Sequence, residues 1–216
     1  CCLLLSLSLL SWAQTESIVS QSRFFQIENP SYFGFNSNKK VGVLYSNTKI
    51  SETSQVNLQY IFGALSFLGQ PFSLGIDMSN YIVQNSTYKV TVPRFSFVYQ
   101  LQIDSRTYLL PSITFGYWNK TFNGEGLIFE DQINSQTGYV SPETDDPAGT
   151  QLGTSNYIDF GASFLLHSES FYVGLSLAQI NQPDISISGE TPLKANLKLS
   201  LQGGAEWDIN PHQRNG

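Results

Sequence analysis

Apolar and polar side chains alternate along much of the chain from residue 41 onward. In FSLGIDMSNY (72–81) apolar residues occupy every second position, starting at Phe72. Successive side chains of a β-strand point to opposite faces, so this period predicts strands. About eight such segments are present, of which the one at 41–50 is the weakest. The clearest are Val56/Leu58/Tyr60/Phe62, Phe72/Leu74/Ile76/Met78, Phe95/Phe97/Tyr99/Leu101/Ile103, Ile113/Phe115/Tyr117, Ile158/Phe160/Ala162/Phe164, Phe171/Val173/Leu175/Leu177 and Leu197/Leu199/Leu201.

The opposite face of these segments consists mainly of small polar residues. A sheet surface that faces water normally carries many Lys, Glu, Arg and Thr side chains, whereas Gly, Ser, Asn and Gln suit a crowded barrel lumen. Each segment is about 10 residues long, as a tilted strand needs to be to cross a bilayer. The pattern predicts an all-β fold, an antiparallel transmembrane β-barrel of the outer-membrane type. The predicted lumen residues are Asn57, Gln59, Gly63, Ser73, Gly75, Asp77, Ser96, Gln100, Gln102, Gly116, Asp159, Gly161, Ser163, Gly174, Ser176, Lys198, Ser200 and Gln202.

The lengths of the connections support the same interpretation. Outer-membrane barrels have short periplasmic turns and longer outer loops, and a chain exported N-terminus first begins on the periplasmic side. Even-numbered connections should therefore be short and odd-numbered ones long, and the first hairpin, near 51–53, departs from this. The predicted short connections are 65–71, 104–107 and 167–170, and the predicted long ones are 83–89, 119–156 and 181–194.

The first 13 residues have the character of a secretory signal peptide. An apolar run is followed by Ser11 and Ala13, small residues that suit a cleavage site before Gln14. The run is too short to span a bilayer as a helix, and the alternative is a short buried helix. After cleavage no cysteine remains, which excludes a disulfide framework and a thiolate metal site. The predicted organisation is a partial signal peptide at 1–13, an N-terminal periplasmic segment at 14–40 and a barrel domain at 41–216.

Two features of the sequence do not fit a complete, regular barrel. Pro93 and Pro111 fall inside predicted strands, where each removes a ladder hydrogen bond, and we expect both near strand starts. The chain ends in the polar stretch DINPHQRNG without a final strand. We therefore expect about eight strands of a larger barrel, a fragment truncated at both ends.

Charge is low overall and concentrated in one connection. Charged residues make up 13% of the chain, about half the share usual in soluble proteins. The loop 119–156 carries Lys120 against six carboxylates, and it accounts for most of the net charge of −6. The simpler interpretation is a solvated cap over the barrel mouth, and the alternative is a loop that binds a divalent cation or a partner. An acidic chain repels phosphate, so nucleic acid is not expected as a partner. The six carboxylates are Glu125, Glu130, Asp131, Glu143, Asp145 and Asp146.

Catalytic chemistry has little support in the sequence. The two histidines, His167 and His212, fall in a predicted turn and in the polar tail. No nucleophile elbow, zinc-binding H-E-x-x-H or P-loop is present, so we expect neither an enzyme nor a cofactor or metal site. Four charged residues share the predicted lumen face, where they could pair or merely solvate the interior. They are Asp77, Arg94, Asp159 and Lys198.

The stretch SRFFQIENPSYFGF (22–35) resembles the "FNPAYAG"-like opening of the type IX secretion system membrane proteins, the PorP/SprF family of Bacteroidetes. The matching positions are Asn29, Pro30, Tyr32 and Gly34. The stretch 157–186 is similar to the paired strands of that family, and 191–207 resembles the strand that follows. The matching residues of 157–186 are Asp159, Phe160, Gly161, Phe171, Tyr172, Gly174, Asn181, Gln182 and Pro183.

The resemblance implies an outer-membrane barrel of about fourteen strands, an even number within the range of such barrels. It further implies a role in type IX export or surface anchoring of adhesins and other large proteins, and in gliding motility. The implied partners are membrane lipid, a periplasmic ring and motor, and secreted adhesin cargo, and the motif residues have structural roles. Two alternatives remain, a general porin for small molecules and a soluble secreted β-sandwich that binds glycans.

Overall fold

The computed structural model describes residues 24–37, 39–49, 55–67, 69–84, 88–122, 128, 130–134, 136–143, 153–186 and 192–206. The strands are β1 Lys40–Lys49, β2 Gln55–Ser66, β3 Phe72–Gln84, β4 Tyr88–Tyr99, β5 Leu101–Gln102, β6 Tyr108–Phe122, β7 Gly153–His167, β8 Phe171–Ala178 and β9 Lys198–Ala205. Short 3-10 helices span Phe25–Ile27, Pro30–Ser37 and Glu130–Gln132. None of the helices in these ranges is long and apolar enough to cross a membrane. The predicted signal peptide at 1–13 lies outside the described residues.

All strands belong to one antiparallel sheet that curls like part of a barrel wall. The order is β1-β2-β3-β4-β6-β7-β8-β9, with the short β5 paired to β6. Each long strand therefore lies beside the next long strand along the chain, which is the up-and-down arrangement of a barrel. Among the described residues, β1 and β9 do not pair with each other. The predicted all-β, antiparallel architecture is confirmed.

The two faces of the sheet differ as predicted along most of its strands. The convex, outward face is apolar, and Ile76, Ile113 and Leu201 are 62%, 66% and 75% exposed. The concave, inward face carries small polar side chains, among which Ser96 and Ser163 are buried. This is the polarity expected where hydrocarbon covers the outside and the lumen is crowded.

Strand β2 is an exception, and its predicted faces are wrong. Tyr60 points inward and is 2% exposed, whereas its neighbour Ile61 points outward and is 46% exposed. Around residues 60 and 61 both faces of β2 are apolar, so the alternation alone does not show which face points inward. The inward phase is favoured because the ring of Phe24 packs edge-on against Tyr60 and Phe62, with centroids 6.0 and 6.1 Å away. The whole predicted outward row, Val56/Leu58/Tyr60/Phe62, is inward, and Asn57, Gln59 and Gly63 lie on the outward face.

The strands also run further into the predicted loops than expected. β6 and β7 pair from Tyr108 with His167 up to Phe122 with Gly153, so the predicted loop 119–156 shrinks to 123–152. The predicted long connection 83–89 is a hairpin in which only 85–87 lie between strands. Two of the four odd-numbered connections, 123–152 and 179–197, are therefore much longer than the even-numbered turns.

Of the two prolines, Pro93 lies in the middle of its strand, contrary to the prediction, and Pro111 lies near the start of its strand, as predicted. Pro93 is the sixth residue of β4, and the ladder between β4 and β6 omits Val92 and Pro93 while pairing Thr91 and Arg94. This gap follows from the missing N–H of proline. Pro111 is the fourth residue of β6 and lies opposite Phe164 on β7.

The hydrophobic core lies inside the curl. It comprises Ala64, Val98, Leu110 and Leu165 from the strands, together with Phe33 from the helix Pro30–Ser37. Leu110 and Leu165 face each other across β6 and β7, and neither is exposed. The sheet thus buries its interior against a segment that precedes it in the chain.

Truncating the core should destabilise the fold far more than truncating the outward face. We expect Leu110→Ala to lower the free energy of unfolding by about 2–5 kcal/mol, because its cavity cannot be refilled. Ile113→Ala, on the same strand but pointing outward, should cost much less, since lipid or detergent can cover the shortened side chain. Denaturant unfolding of both variants in lipid vesicles measures the difference. Equal losses would show that residue 110 is not in a packed interior.

Candidate functional site inside the curled sheet

Residues 24–37, here called the inner segment, lie against the concave face of the sheet. Its first turn is closed by a hydrogen bond from the Asn29 N–H to the Phe25 carbonyl at 2.9 Å. Pro30 then begins the second helix, where its fixed φ and missing N–H are tolerated. These two turns keep the segment compact enough to fit within the curl.

Asn29 and Ser31 attach the inner segment to β6 and β7. Both residues are fully buried, and the Asn29 Nδ2 donates to the Phe164 carbonyl at 3.2 Å. The Ser31 hydroxyl lies 2.9 Å from the Ser163 hydroxyl and 3.2 Å from that of Ser112. Since buried polar groups are costly without partners, these small hydroxyls both make room for the segment and satisfy its polar atoms.

Glycines on the inward face of the strands leave room for larger side chains of the inner segment. A Cβ at Gly75 would lie 2.3 Å from the Phe33 ring, and one at Gly174 would lie 2.6 Å from the Asn29 amide. On the segment itself, a Cβ at Gly34 would meet Val98 and Leu110 at 2.8 and 2.9 Å. Any side chain at these three positions would displace the inner segment from the sheet.

Tyr32 joins an aromatic group that includes a residue of β8. Its ring stacks on Phe25 with centroids 5.0 Å apart and meets Tyr172 edge-on at 6.3 Å. Burial raises the pKa of the Tyr32 hydroxyl well above its usual range. The hydroxyl is buried without a hydrogen-bond partner among the described residues. Tyr32 thus holds the segment by packing.

A buried ion pair connects the sheet to the inner segment. Arg94 donates from Nε to both carboxylate oxygens of Asp77, at 3.2 and 3.1 Å, and from Nη1 to the Ile27 carbonyl at 2.9 Å. The Asp77 side chain is 1% exposed. Of the two alternatives left open by the sequence, pairing or solvation of the interior, pairing applies to these two residues.

Asp159 continues the same register row across Gly116. Its carboxylate accepts a hydrogen bond from the Trp118 indole N–H at 2.9 Å. A Cβ at Gly116 would lie 2.2 Å from that carboxylate oxygen, so the glycine leaves the space that Asp159 occupies. The row Asp77–Arg94–Gly116–Asp159 thus places two carboxylates and one guanidinium on four adjacent strands.

Lys198 pairs with the inner segment and not with the other predicted lumen charges. Its Nζ lies 2.9 Å from the Glu28 carboxylate, which also accepts from the Ser200 hydroxyl at 3.3 Å. The Ser176 hydroxyl donates to the Glu28 carbonyl at 2.6 Å. Glu28 therefore ties the inner segment to β8 and β9, as Arg94 ties it to β3 and β4.

A cavity of about 640 Å³ extends from the inner segment toward the strand ends that carry the long connections. Ile27, Glu28 and Pro30 line one end of it. In its neighbourhood Trp118 and Tyr157 stack with centroids 5.6 Å apart, and the Lys120 ammonium lies 5.4 and 5.1 Å from the two rings. The cavity is blocked on the side of the short turns by the protein's own segment.

The second group of motif residues lies away from the cavity, just beyond β8. Asn181 donates from Nδ2 to the Ile158 carbonyl at 2.8 Å and accepts from the Phe160 N–H at 3.1 Å. Its amide therefore replaces one peptide of a neighbouring strand on the edge of β7. Gln182 has a positive φ of 43°, and the Pro183 carbonyl accepts from the Ala195 N–H at 2.9 Å. These residues turn the chain away from β7.

Several contributors to the site were not predicted from the sequence. Glu28, Ser31 and Phe33 stand between or beside the motif positions, and only the structure shows that they contact the strands. Glycine at inward positions such as Gly75 and Gly174 was the available signal, because glycine in a strand often marks a close approach of another part of the chain.

The predicted environment of His167 is wrong. This residue is the last of β7 and not part of a turn, because pairing with Tyr108 extends the strand. Its ring lies 4.8 Å from that of Phe35 and 5.5 Å from that of Tyr108. His212 lies outside the described residues.

The described residues contain no group of three His, Cys, Asp or Glu side chains that could hold a metal ion. Of the acidic loop, the described carboxylates are Glu130, Asp131 and Glu143. The other three, Glu125, Asp145 and Asp146, lie outside the described ranges, so cation binding by this loop stays a hypothesis.

Comparison with known proteins identifies one family. The family model described as type IX secretion system membrane protein PorP/SprF matches residues 14–215. The match includes the inner segment and all nine strands. Comparisons with the curated proteins and with the solved structures give no match.

A methyl group at Gly75 should displace the inner segment from the sheet. We expect Gly75→Ala to lower the free energy of unfolding by about 1–3 kcal/mol through overpacking against Phe33. It should also speed chymotrypsin cleavage within residues 24–37. Gly63→Ala is the matched control, because its Cβ would point outward with its nearest neighbour at 3.6 Å. Equal behaviour of the two variants would contradict the seating of Phe33 on Gly75.

The Asp77–Arg94 pair should show strong coupling in a double-mutant cycle. Arg94→Met leaves a buried carboxylate without its partner, which should cost about 3–5 kcal/mol of unfolding free energy. We expect Asp77→Asn combined with Arg94→Met to lose less than the sum of the two single variants, with a coupling above about 1 kcal/mol. Denaturant unfolding in vesicles gives the four values. Additive losses would show that the two side chains act independently.

Proposed function

We propose that this chain, which belongs to the family of type IX secretion system membrane proteins PorP/SprF, works in the outer membrane. In this proposal it assists the export or surface anchoring of adhesins and other large secreted proteins. It acts through protein contacts rather than by chemistry. Its partners are membrane lipid, other components of the secretion system, including the periplasmic ring and motor, and the exported cargo.

The observation that carries the proposal is the occupied concave face. A general porin needs a water-filled lumen, whereas here the inner segment packs on β2, β3, β4, β6 and β7. The Lys198–Glu28 ion pair, the hydrogen bond from Arg94 to the Ile27 carbonyl and the buried hydroxyls of Ser31, Ser112 and Ser163 hold it there. An interior blocked on the side of the short turns by the protein's own chain favours a role in binding partners over a role in conduction.

The convex face supports contact with lipid. Its apolar positions on β4 and β5 run from Pro93 to Ile103, about 33 Å along the strand at about 3.3 Å per residue. At a tilt of about 40° this span covers about 25 Å, the height of the apolar band of outer-membrane barrels. The face therefore has both the polarity and the extent that a bilayer requires.

The short turns offer a charged surface for partners. In the turn 103–107, Asp104 accepts hydrogen bonds from the Arg106 and Thr107 N–H groups at 2.8 and 2.9 Å. These bonds hold the pKa of Asp104 below its usual value, so its carboxylate stays charged. Arg106 faces Glu169 of the next short turn at 3.6 Å, and both side chains are 72% exposed. In our proposal these turns face the periplasm and contact the ring.

Deleting the encoding gene should test the role directly. We expect loss of proteins with C-terminal sorting domains from the cell surface and medium, restored by the wild-type chain and by Gly63→Ala. The membrane fraction should hold the chain. Normal export in the deletion strain would contradict the proposal. Steady ion conductance of the purified protein in planar bilayers would instead favour a porin, and recovery of the chain in the soluble fraction would favour a secreted sandwich.

A further inference from the structure

One row of outward side chains is polar across six strands of the convex face. We call it the polar row, and its members lie opposite one another in consecutive strand pairs. They are Tyr45, Gln59, Asn80, Thr91, Asn119 and Asn156. The neighbouring outward positions on the side of the short turns are all apolar, namely Val43, Ile61, Met78, Pro93, Tyr117 and Ile158.

Members of the polar row bind one another across the strands. The Asn80 Nδ2 donates to the Gln59 Oε1 at 3.2 Å, and the Thr91 hydroxyl donates to the Asn80 Oδ1 at 3.0 Å. The Asn119 Nδ2 donates to the Asn156 Oδ1 at 2.7 Å. The row thus contains two groups of side-chain hydrogen bonds, one across β2, β3 and β4 and one across β6 and β7.

Beyond the polar row the outward face stays mainly polar. The next row comprises Asn47, Asn57, Ile82, Lys89, Thr121 and Thr154. The hydroxyls of Thr121 and Thr154 lie 3.3 Å apart, and Lys89 is exposed. The surface therefore changes from apolar to polar within two residues, or about 7 Å along the strand.

Hydrocarbon cannot cover the polar row at low cost. A primary amide has two N–H donors and a carbonyl that accepts two hydrogen bonds, and one bond to a neighbouring amide leaves most of these groups without a partner. Each unpaired polar group in an apolar environment costs about 1–3 kcal/mol. Water and lipid headgroups can satisfy these amides, whereas acyl chains cannot.

We propose that the polar row contacts the lipid headgroup layer, and that the hydrocarbon of the bilayer ends between Tyr117 and Asn119 on β6 and between Ile158 and Asn156 on β7. This inference rests on the proposed membrane location and adds a defined depth to it. The ends of β1 to β4, β6 and β7 then project beyond the hydrocarbon, and those of β6 and β7 carry the connection 123–152. The three residue steps from Asn119 to Phe122 raise that connection by about 10 Å.

Spin labels along the outward positions of β6 test this depth. Cys1 and Cys2 are first replaced by Ser, and single cysteines are placed at Ile113, Tyr117, Asn119 or Thr121 of the full chain. The labelled proteins are reconstituted in phosphatidylcholine vesicles, where collision with oxygen reports hydrocarbon and collision with a nickel chelate reports water. We expect the ratio of oxygen to nickel accessibility to fall sharply between Tyr117 and Asn119.

A second series of spin labels, on β7, gives an independent measurement if a β6 variant fails to fold. Labels at Phe160 and Ile158 should be accessible mainly to oxygen, and labels at Asn156 and Thr154 mainly to nickel. Oxygen-dominated values on both sides of the polar row would overturn the depth while leaving the membrane location intact. Nickel-dominated values at Ile113 and Phe160 would instead contradict the membrane location itself. The two failures are therefore distinguishable.

Discussion

The structure depends on the packing of the inner segment into a concave face where glycine and serine leave room between the larger side chains. Glycine and serine on the strands leave the space that Asn29, Phe33 and their neighbours occupy. This packing explains why glycine occurs on the inward face, because a larger residue at Gly75 or Gly174 would overlap the segment. Close packing in the interior makes this fit sensitive to a single methyl group.

Charges inside the curl serve the same attachment. Arg94 neutralises Asp77 and also reaches the backbone of the inner segment, while Lys198 neutralises Glu28 of that segment. Buried pairs of this kind add little net stability, since desolvation opposes their attraction, but losing one partner is costly. We infer that they define where the segment sits and leave the bulk of the stability to the apolar core.

The convex face requires an apolar surrounding rather than a packed protein segment. Its large apolar side chains, such as Ile76 and Leu201, are more than half exposed in the described structure and are satisfied by an apolar surrounding. A water-soluble protein rarely exposes so continuous an apolar surface. The family of membrane proteins to which the chain belongs accounts for it, and the antiparallel ladder satisfies the backbone inside that apolar layer.

The sequence by itself determined the fold class and the faces of most strands, because a strict period of two is readable where one face is apolar and the other small, as along 72–81. It could not determine the phase of β2, where Tyr60 and Ile61 are both apolar and the choice depends on packing by Phe24. Nor could it show that Glu28 pairs with Lys198, or that 24–37 fill the curl. Such contacts join residues far apart in the chain, and only the folded sheet brings them together.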